Sequence, residues 1–204
     1  SMRFAGISPE IGLSETQQTL GKNGLRGQVR LQVDGQLKTG RDVIMMALLG
    51  AEEFSFGTAP LIVLGCVMMR KCNLNTCPMG VATQDPKLRA HFRGRYEYVV
   101  NYFTFLAQEV REYLAQMGAR TLNEIVGHTE LIVPRHEQSG TKTATLDFRR
   151  LLYKEQGDTT LYHTKEQKHD LDYVLDQQLI RGAQRAIADR EEVNLDFAIK
   201  NTDR

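Results

Sequence analysis

Tryptophan is absent from this 204-residue chain, proline occurs five times and cysteine only three times. Neither sign of charge dominates: 26 lysines and arginines stand against 25 aspartates and glutamates, with no long run of either. A protein that grips a phosphate backbone needs a basic surplus, so nucleic acid is not an expected partner. Long apolar runs are missing too. The longest, Ala59 to Met69, spans eleven residues before Arg70, short of the roughly 20 that cross a bilayer, so no membrane is expected. No apolar stretch of the secretory type opens the sequence, and unpaired clustered cysteines suit a reducing compartment, so the expected location is cytoplasmic. There is no nucleophile elbow, no P-loop and no G-x-G-x-x-G. The histidines (His91, His128, His136, His163 and His169) are scattered, with no i, i+4 ligand pair among them.

What is present is concentrated. All three cysteines, Cys66, Cys72 and Cys77, fall in LGCVMMRKCNLNTCPMG, with the spacing C-x5-C-x4-C-P. Thiolates gathered in one segment are usually ligands, because a soft metal needs several sulfurs around it. The odd count argues against a disulfide framework. Zinc would need a fourth ligand, and the nearest candidates, Asp85 and His91, lie beyond the cluster. An iron–sulfur cluster fits better: thiolates are its normal ligands and a Cys-Pro closing the run is ferredoxin-like. Three cysteines match three irons. A zinc module and a set of inert buried thiols remain alternatives on spacing alone.

Around that segment the chain reads strand, turn, helix, strand. Val29, Leu31 and Val33 alternate into Asp34-Gly35, Thr39 caps a helix Gly40–Leu49 ended by Gly50, and Glu53–Phe56 is a second strand ending at Gly57-Thr58. Ala59 to Gly65 reads as a helix feeding Cys66. A β-α-β succession implies a parallel sheet. Tyr98 to Met117 carries Val99, Tyr102, Phe103, Leu106, Val110, Tyr113, Leu114 and Met117 at helical spacing, with Gly118 as its C-cap. Thr121 and Glu124 form a capping box for a short helix closed by Gly127. The stretch 134–168 reads as extended connection with a short helix near Leu146 to Leu152. Asp170 to Asp189 reads as one amphipathic helix with Leu171, Val174, Leu175, Leu179 and Ile187 inward, and Val193 to Ile199 alternates like a strand.

From VDGQLKTGRDVIMMALLGAEEFSFGTAPLIVLGCVMMRKCNLNTCPMGVATQDP the chain resembles the large, ferredoxin- or NADPH-linked glutamate synthase family, at the end of its FMN-binding barrel. The likeness continues through RGRYEYVVNYFTFLAQEVREYLAQMG and DLDYVLD to NTDR, and back to GLSETQQTL. It implies an α/β fold: the C-terminal portion of an FMN-binding (β/α)8 barrel over residues 1–90, a helical and extended connecting region over 91–168, and a helix and strand over 169–204 leading toward a β-helix domain. It implies an oxidoreductase that transfers glutamine's amide nitrogen to 2-oxoglutarate, with FMN reducing the resulting imine to glutamate and a [3Fe–4S] cluster relaying electrons. By that match Cys66, Cys72 and Cys77 are the cluster ligands. Asp34, Gly35, Gln36, Gly57 and Thr58, at the ends of barrel strands seven and eight, are the FMN contacts, with Glu15 and Gln18 as further candidates.

The implied partners are the rest of the large subunit and either a small electron-donating subunit or ferredoxin. No catalytic residue of the reaction is expected within this stretch, which resembles an internal portion of a longer subunit. A non-catalytic folded fragment is the alternative. Two departures from the family pattern fall before strand seven: SPEIGL lacks the usual Trp-Glu pair after the equivalent of Pro9, and Gln17 stands where histidine is common. Both bear on the fit near the flavin.

Overall fold

A computed structural model describes residues 6–135, 142–155, 160–169 and 171–201. They fall into two compact units, the first running to Lys165 and the second starting at Glu166.

In the first unit α1 (Pro9–Lys22) is followed by β1 (Gln32–Asp34), α2 (Gly40–Leu48), β2 (Glu53–Ser55), α3 (Thr58–Val63), α4 (Pro86–Arg89) and α5 (Tyr96–Gln116). β1 and β2 pair in parallel, with Gln32 opposite Glu53 and Asp34 opposite Ser55. The β-α-β expectation is met, and the fold is α/β: mostly helical around a small parallel sheet. Thr39 caps α2 as expected, accepting from Asp42 N while the Asp42 carboxylate accepts from Thr39 N.

α1 was not foreseen as a helix. Its signal was present in Ser8-Pro9-Glu10, a cap-type residue, a proline at the first helical position and an acid in the first turn.

α2 is buried on both faces. Val43, Ile44, Ala47 and Leu48 pack with Val110, Leu114 and Ile125, while Met46 and Leu49 pack with Leu13, Val33, Leu37 and Ala51. α5 crosses the start of α2 closely: a Cβ on Gly40 would sit 2.9 Å from Val110 N, and Gly40 N donates to Glu109 Oε2 at 2.6 Å. Tyr102 adds a hydrogen bond from its hydroxyl to Lys38 O. Glycine is therefore a packing requirement at position 40.

One charged group enters the interior. Arg26, 1% exposed, donates to Gln17 Oε1, Val29 O and Gly50 O and ion-pairs with Glu52. Gln17 donates in turn to Leu161 O, and the second Glu52 oxygen accepts from His163 N. Four separated stretches meet at this guanidinium, which satisfies every donor that burial would otherwise strand.

Three expectations fail. Leu146 to Leu152 is a turn, closed by Leu152 N on Phe148 O, and the nearest helical turn is the 3-10 segment Lys142–Thr145. The Thr121 box closes only a 3-10 turn, Leu122–Glu124. In the second unit the single expected helix is two, α6 (Leu175–Gly182) and α7 (Gln184–Asp189), meeting at Ala183. Leu171 and Ile187 of its expected inner face are exposed. Asp170, part of that expected helix, lies outside the described residues.

Val193 to Ile199 forms no strand. Alternation supplies a face but no hydrogen-bonding partner, and a lone strand leaves its backbone groups unpaired. Leu195 instead lies against Gly182. No helix among the described residues is long and apolar enough to cross a membrane.

Candidate metal and cofactor site

The cysteine segment leaves α3 through Gly65, whose φ of +94° turns the chain, and Cys66 N closes the helix on Leu61 O. From there regular structure stops. Met68, Arg70 and Asn75 all have left-handed backbone, three of only five such non-glycine residues described. Strain of this kind persists only where the surroundings impose it, and it collects at functional sites.

What imposes it is visible around Asn75. Its Oδ1 accepts from Gln84 N at 2.6 Å and from Thr83 Oγ1 at 2.9 Å, and its carbonyl takes a second bond from Thr83. These bonds tie the middle of the loop to the chain that follows it. Gly80 then seats against α4, with Leu88 O 2.6 Å from where its Cβ would be.

None of the three thiols is in a disulfide; Cys66 and Cys77 are half-buried and Cys72 is exposed. All three line one cavity, together with Met68, Met69 and Pro78. Met68 N donates to Cys66 Sγ at 3.4 Å, and the Met68 thioether lies 3.7 Å from the same sulfur. Cys77 sits below the ordinary thiol pKa, first because Ala82 N–H bonds its sulfur. Desolvation opposes this, and the N–H groups of Met79, Val81 and Gly80 reinforce it. Backbone dipoles thus favour the thiolate, the form that binds metal.

The zinc alternative loses its fourth ligand. Asp85 caps α4, accepting from Lys87 N and Leu88 N, and His91 Nδ1 is bonded to Pro78 O. No trio of His, Cys, Asp or Glu side chains among the described residues is gathered closely enough to hold a metal ion. An all-sulfur donor set spread around one cavity, with N–H groups on two of the sulfurs, fits a cluster in which each thiolate takes its own iron.

The strand ends form the second element. In-register parallel pairing of Asp34 with Ser55 brings Gly35 and the Phe56-Gly57 step out of the sheet at the same end, on strands about 4.8 Å apart. Gly35 has φ +146° and Gln36 φ +61°, a sharp turn that a side chain at position 35 would resist. Gly57 is exposed, and nothing lies within 4 Å of where its Cβ would be, so its backbone is open to close approach. Thr58 begins α3, whose six residues rise about 9 Å toward the cysteine loop. The helix is shorter than the sequence suggested, and the loop begins correspondingly nearer the strand end.

Glu15 and Gln18 are elsewhere. Gly35 meets Pro9, at the start of α1, whereas Glu15 and Gln18 lie about 9 and 14 Å further along that helix. They line a separate cavity with Asp147, Arg149, Arg150 and Tyr153. Sequence reasoning missed this pairing of α1 with the 147–153 turn, which no local pattern announces. It also missed the role of Asn75, although asparagine's tolerance of left-handed backbone was a usable signal.

A family model described as a conserved region in glutamate synthase matches residues 1–120. The chain belongs to the glutamate synthase family. Over its whole length it is 47% identical to the glutamate synthase [NADPH] large chain of Bacillus subtilis and 46% to that of Azospirillum brasilense, covering 13% and 14% of them. It is also 44% identical to the chloroplastic ferredoxin-dependent glutamate synthase of Spinacia oleracea, again over all of this chain and 13% of that protein. The chain thus spans about an eighth of the length of the family members it matches.

Proposed function

We propose that this chain is the FMN- and [3Fe–4S]-binding part of a cytoplasmic glutamate synthase large subunit, an oxidoreductase that makes glutamate from glutamine and 2-oxoglutarate. On this reading residues 1–90 are the C-terminal part of a (β/α)8 barrel, 91–168 connect, and 169–204 lead toward a further domain. The observation that carries it is the set of three free thiols around one cavity, on a loop tethered by a six-residue helix to the open strand-end glycine Gly57.

Cys66, Cys72 and Cys77 would each hold one iron. Gly35 and Gly57 would let a phosphate lie against backbone N–H groups, as strand-end glycines of barrels do, with the Thr58 hydroxyl as a further donor. Asp34 would accept from ribityl hydroxyls, and Gln36 would flank the turn. Bound there, FMN would supply the hydride that reduces the imine, and the cluster would supply single electrons. The short tether keeps the two groups close, and Met68, Met69 and Pro78 keep water from the sulfurs.

Electrons would come from a small reducing subunit or from ferredoxin; relatives of both NADPH and ferredoxin kinds support either donor. Glutamine hydrolysis and 2-oxoglutarate binding would fall to the rest of the large subunit. The test is Gly57→Val in the full-length large subunit, which puts a branched side chain where the phosphate would sit. FMN content should fall to a small fraction of normal, while circular dichroism and iron content stay unchanged. Normal FMN content would remove Gly57 from the site.

A further inference from the structure

The cavity between α1 and the 147–153 turn has two chemically different walls. On the helix side, Glu15 and Gln18 stand one turn apart and offer acceptors. Gln18 spends its amide N–H groups on Ser14 Oγ and Arg150 O, which leaves its Oε1 facing outward for a donor. The Glu15 carboxylate has no hydrogen bond or ion pair among the described residues. On the turn side, Arg150 and Tyr153 offer donors, and neither their guanidinium nor their hydroxyl is bonded among the described residues.

The remaining charges cancel. Arg149 grips both oxygens of Asp147, through Nε at 3.0 and 3.1 Å and through Nη2 at 2.7 Å, so this pair brings no net charge to the rim. One unpaired cation and one unpaired anion are left facing a cavity of about 510 Å³, within the usual size of small-molecule sites.

The walls are also fixed in place. Ser14 Oγ donates to Leu151 O at 2.6 Å, Gln18 Nε2 to Arg150 O at 3.0 Å and Thr129 Oγ1 to Leu152 O at 2.8 Å. Three successive carbonyls are thus pinned by side chains of α1 and of the Thr129 turn. A site assembled in advance loses little freedom on binding.

We propose that this cavity binds a free α-amino acid with an uncharged side chain, its carboxylate on Arg150 and Tyr153 and its ammonium on Glu15 and the Gln18 carbonyl. A simple anion would leave Glu15 facing it unmatched, and a simple cation would meet Arg150; a zwitterion satisfies both walls at once. The Tyr153 ring, 47% exposed, gives the ligand's side chain an apolar flank, and the paired Asp147–Arg149 rim disfavours a charged one. This site is independent of the flavin and cluster reading and uses none of its residues.

Three isosteric probes test it on the 204-residue chain by calorimetry: L-phenylalanine, phenylpyruvate, which lacks the ammonium, and phenethylamine, which lacks the carboxylate. L-phenylalanine should bind saturably with a millimolar or tighter Kd, and each of the other two at least tenfold more weakly. Arg150→Gln and Glu15→Gln should each weaken L-phenylalanine at least tenfold, while Arg149→Gln should change it less than threefold. Because the altered side chains are exposed, circular dichroism should be unchanged in all three variants. Phenylpyruvate binding as well as L-phenylalanine would make this an anion site and overturn the proposal. So would absence of L-phenylalanine binding, or binding unaffected by both Arg150→Gln and Glu15→Gln. None of these outcomes touches the flavin assignment, since the measurement needs no flavin.

Discussion

From Val33 to Ala51 the chain buries most of what it has, including Val33, Leu37, Val43, Ile44, Met46, Ala47, Leu48, Leu49 and Ala51; from Cys66 to Pro78 no residue is buried. The first stretch is held by apolar packing on both faces of α2. The second is held by a few hydrogen bonds to Asn75, by left-handed backbone at three residues and, on the proposed reading, by an iron–sulfur cluster. Packing fixes a shape through many weak contacts, so the loss of any one is graded. A loop fixed by ligation depends on a few strong bonds, so its response to mutation should be all-or-none.

The contrast can be pressed hardest at the charged group inside the packed unit. Arg26→Ala should cost about 3–5 kcal/mol in urea unfolding, because it strands the Glu52 carboxylate and the Gln17 amide in the interior. Ile125→Ala, an apolar deletion at a fully buried position, should cost about 2–5 kcal/mol. Gly40→Ala should cost about 1–3 kcal/mol by pushing α5 away from α2. A stability for Gly40→Ala equal to that of the parent chain would mean that the close crossing is not needed. None of the three should move iron affinity.

Smaller effects sharpen the same line. Thr39→Ala removes the α2 cap and should cost about 1 kcal/mol. The smallest belongs to Glu130. Burial pushes its carboxyl up, but the Lys154 ammonium, its own backbone N–H and His128 outweigh that and hold it at about 2, against an ordinary 4.5. A carboxyl depressed in the folded state contributes stability that is complete above its unfolded value and is lost as pH falls through the folded one. The loss should therefore develop between about pH 4.5 and pH 2. Half of Glu130 is exposed, so the contribution should stay below about 1 kcal/mol, and Glu130→Gln should flatten the pH dependence there.

The same contrast explains what could be read in advance. α2 and α5 were legible because a buried stripe leaves a period, and Thr39, Gly50 and Gly118 punctuate it. The parallel pair β1–β2 followed from the β-α-β order. The Arg26 network was invisible because its partners lie at positions 17, 52, 161 and 163, with no local pattern joining them. Val193 to Ile199 misled for the opposite reason: its alternation is real, but a strand needs a neighbour that the period does not reveal. In the cysteine loop the spacing announced the chemistry and hid the geometry, since left-handed backbone at Met68 and Arg70 has no residue preference behind it.

The central claim is that three thiols in an otherwise unburied loop hold one polynuclear cluster. Anaerobic reconstitution of the full-length large subunit, with iron and sulfide analysis and electron paramagnetic resonance of the oxidised protein, tests it directly. The account predicts the stoichiometry and signal of a [3Fe–4S] cluster, lost or strongly reduced in each of Cys66→Ser, Cys72→Ser and Cys77→Ser. Full iron content and an unchanged signal in all three variants would contradict it.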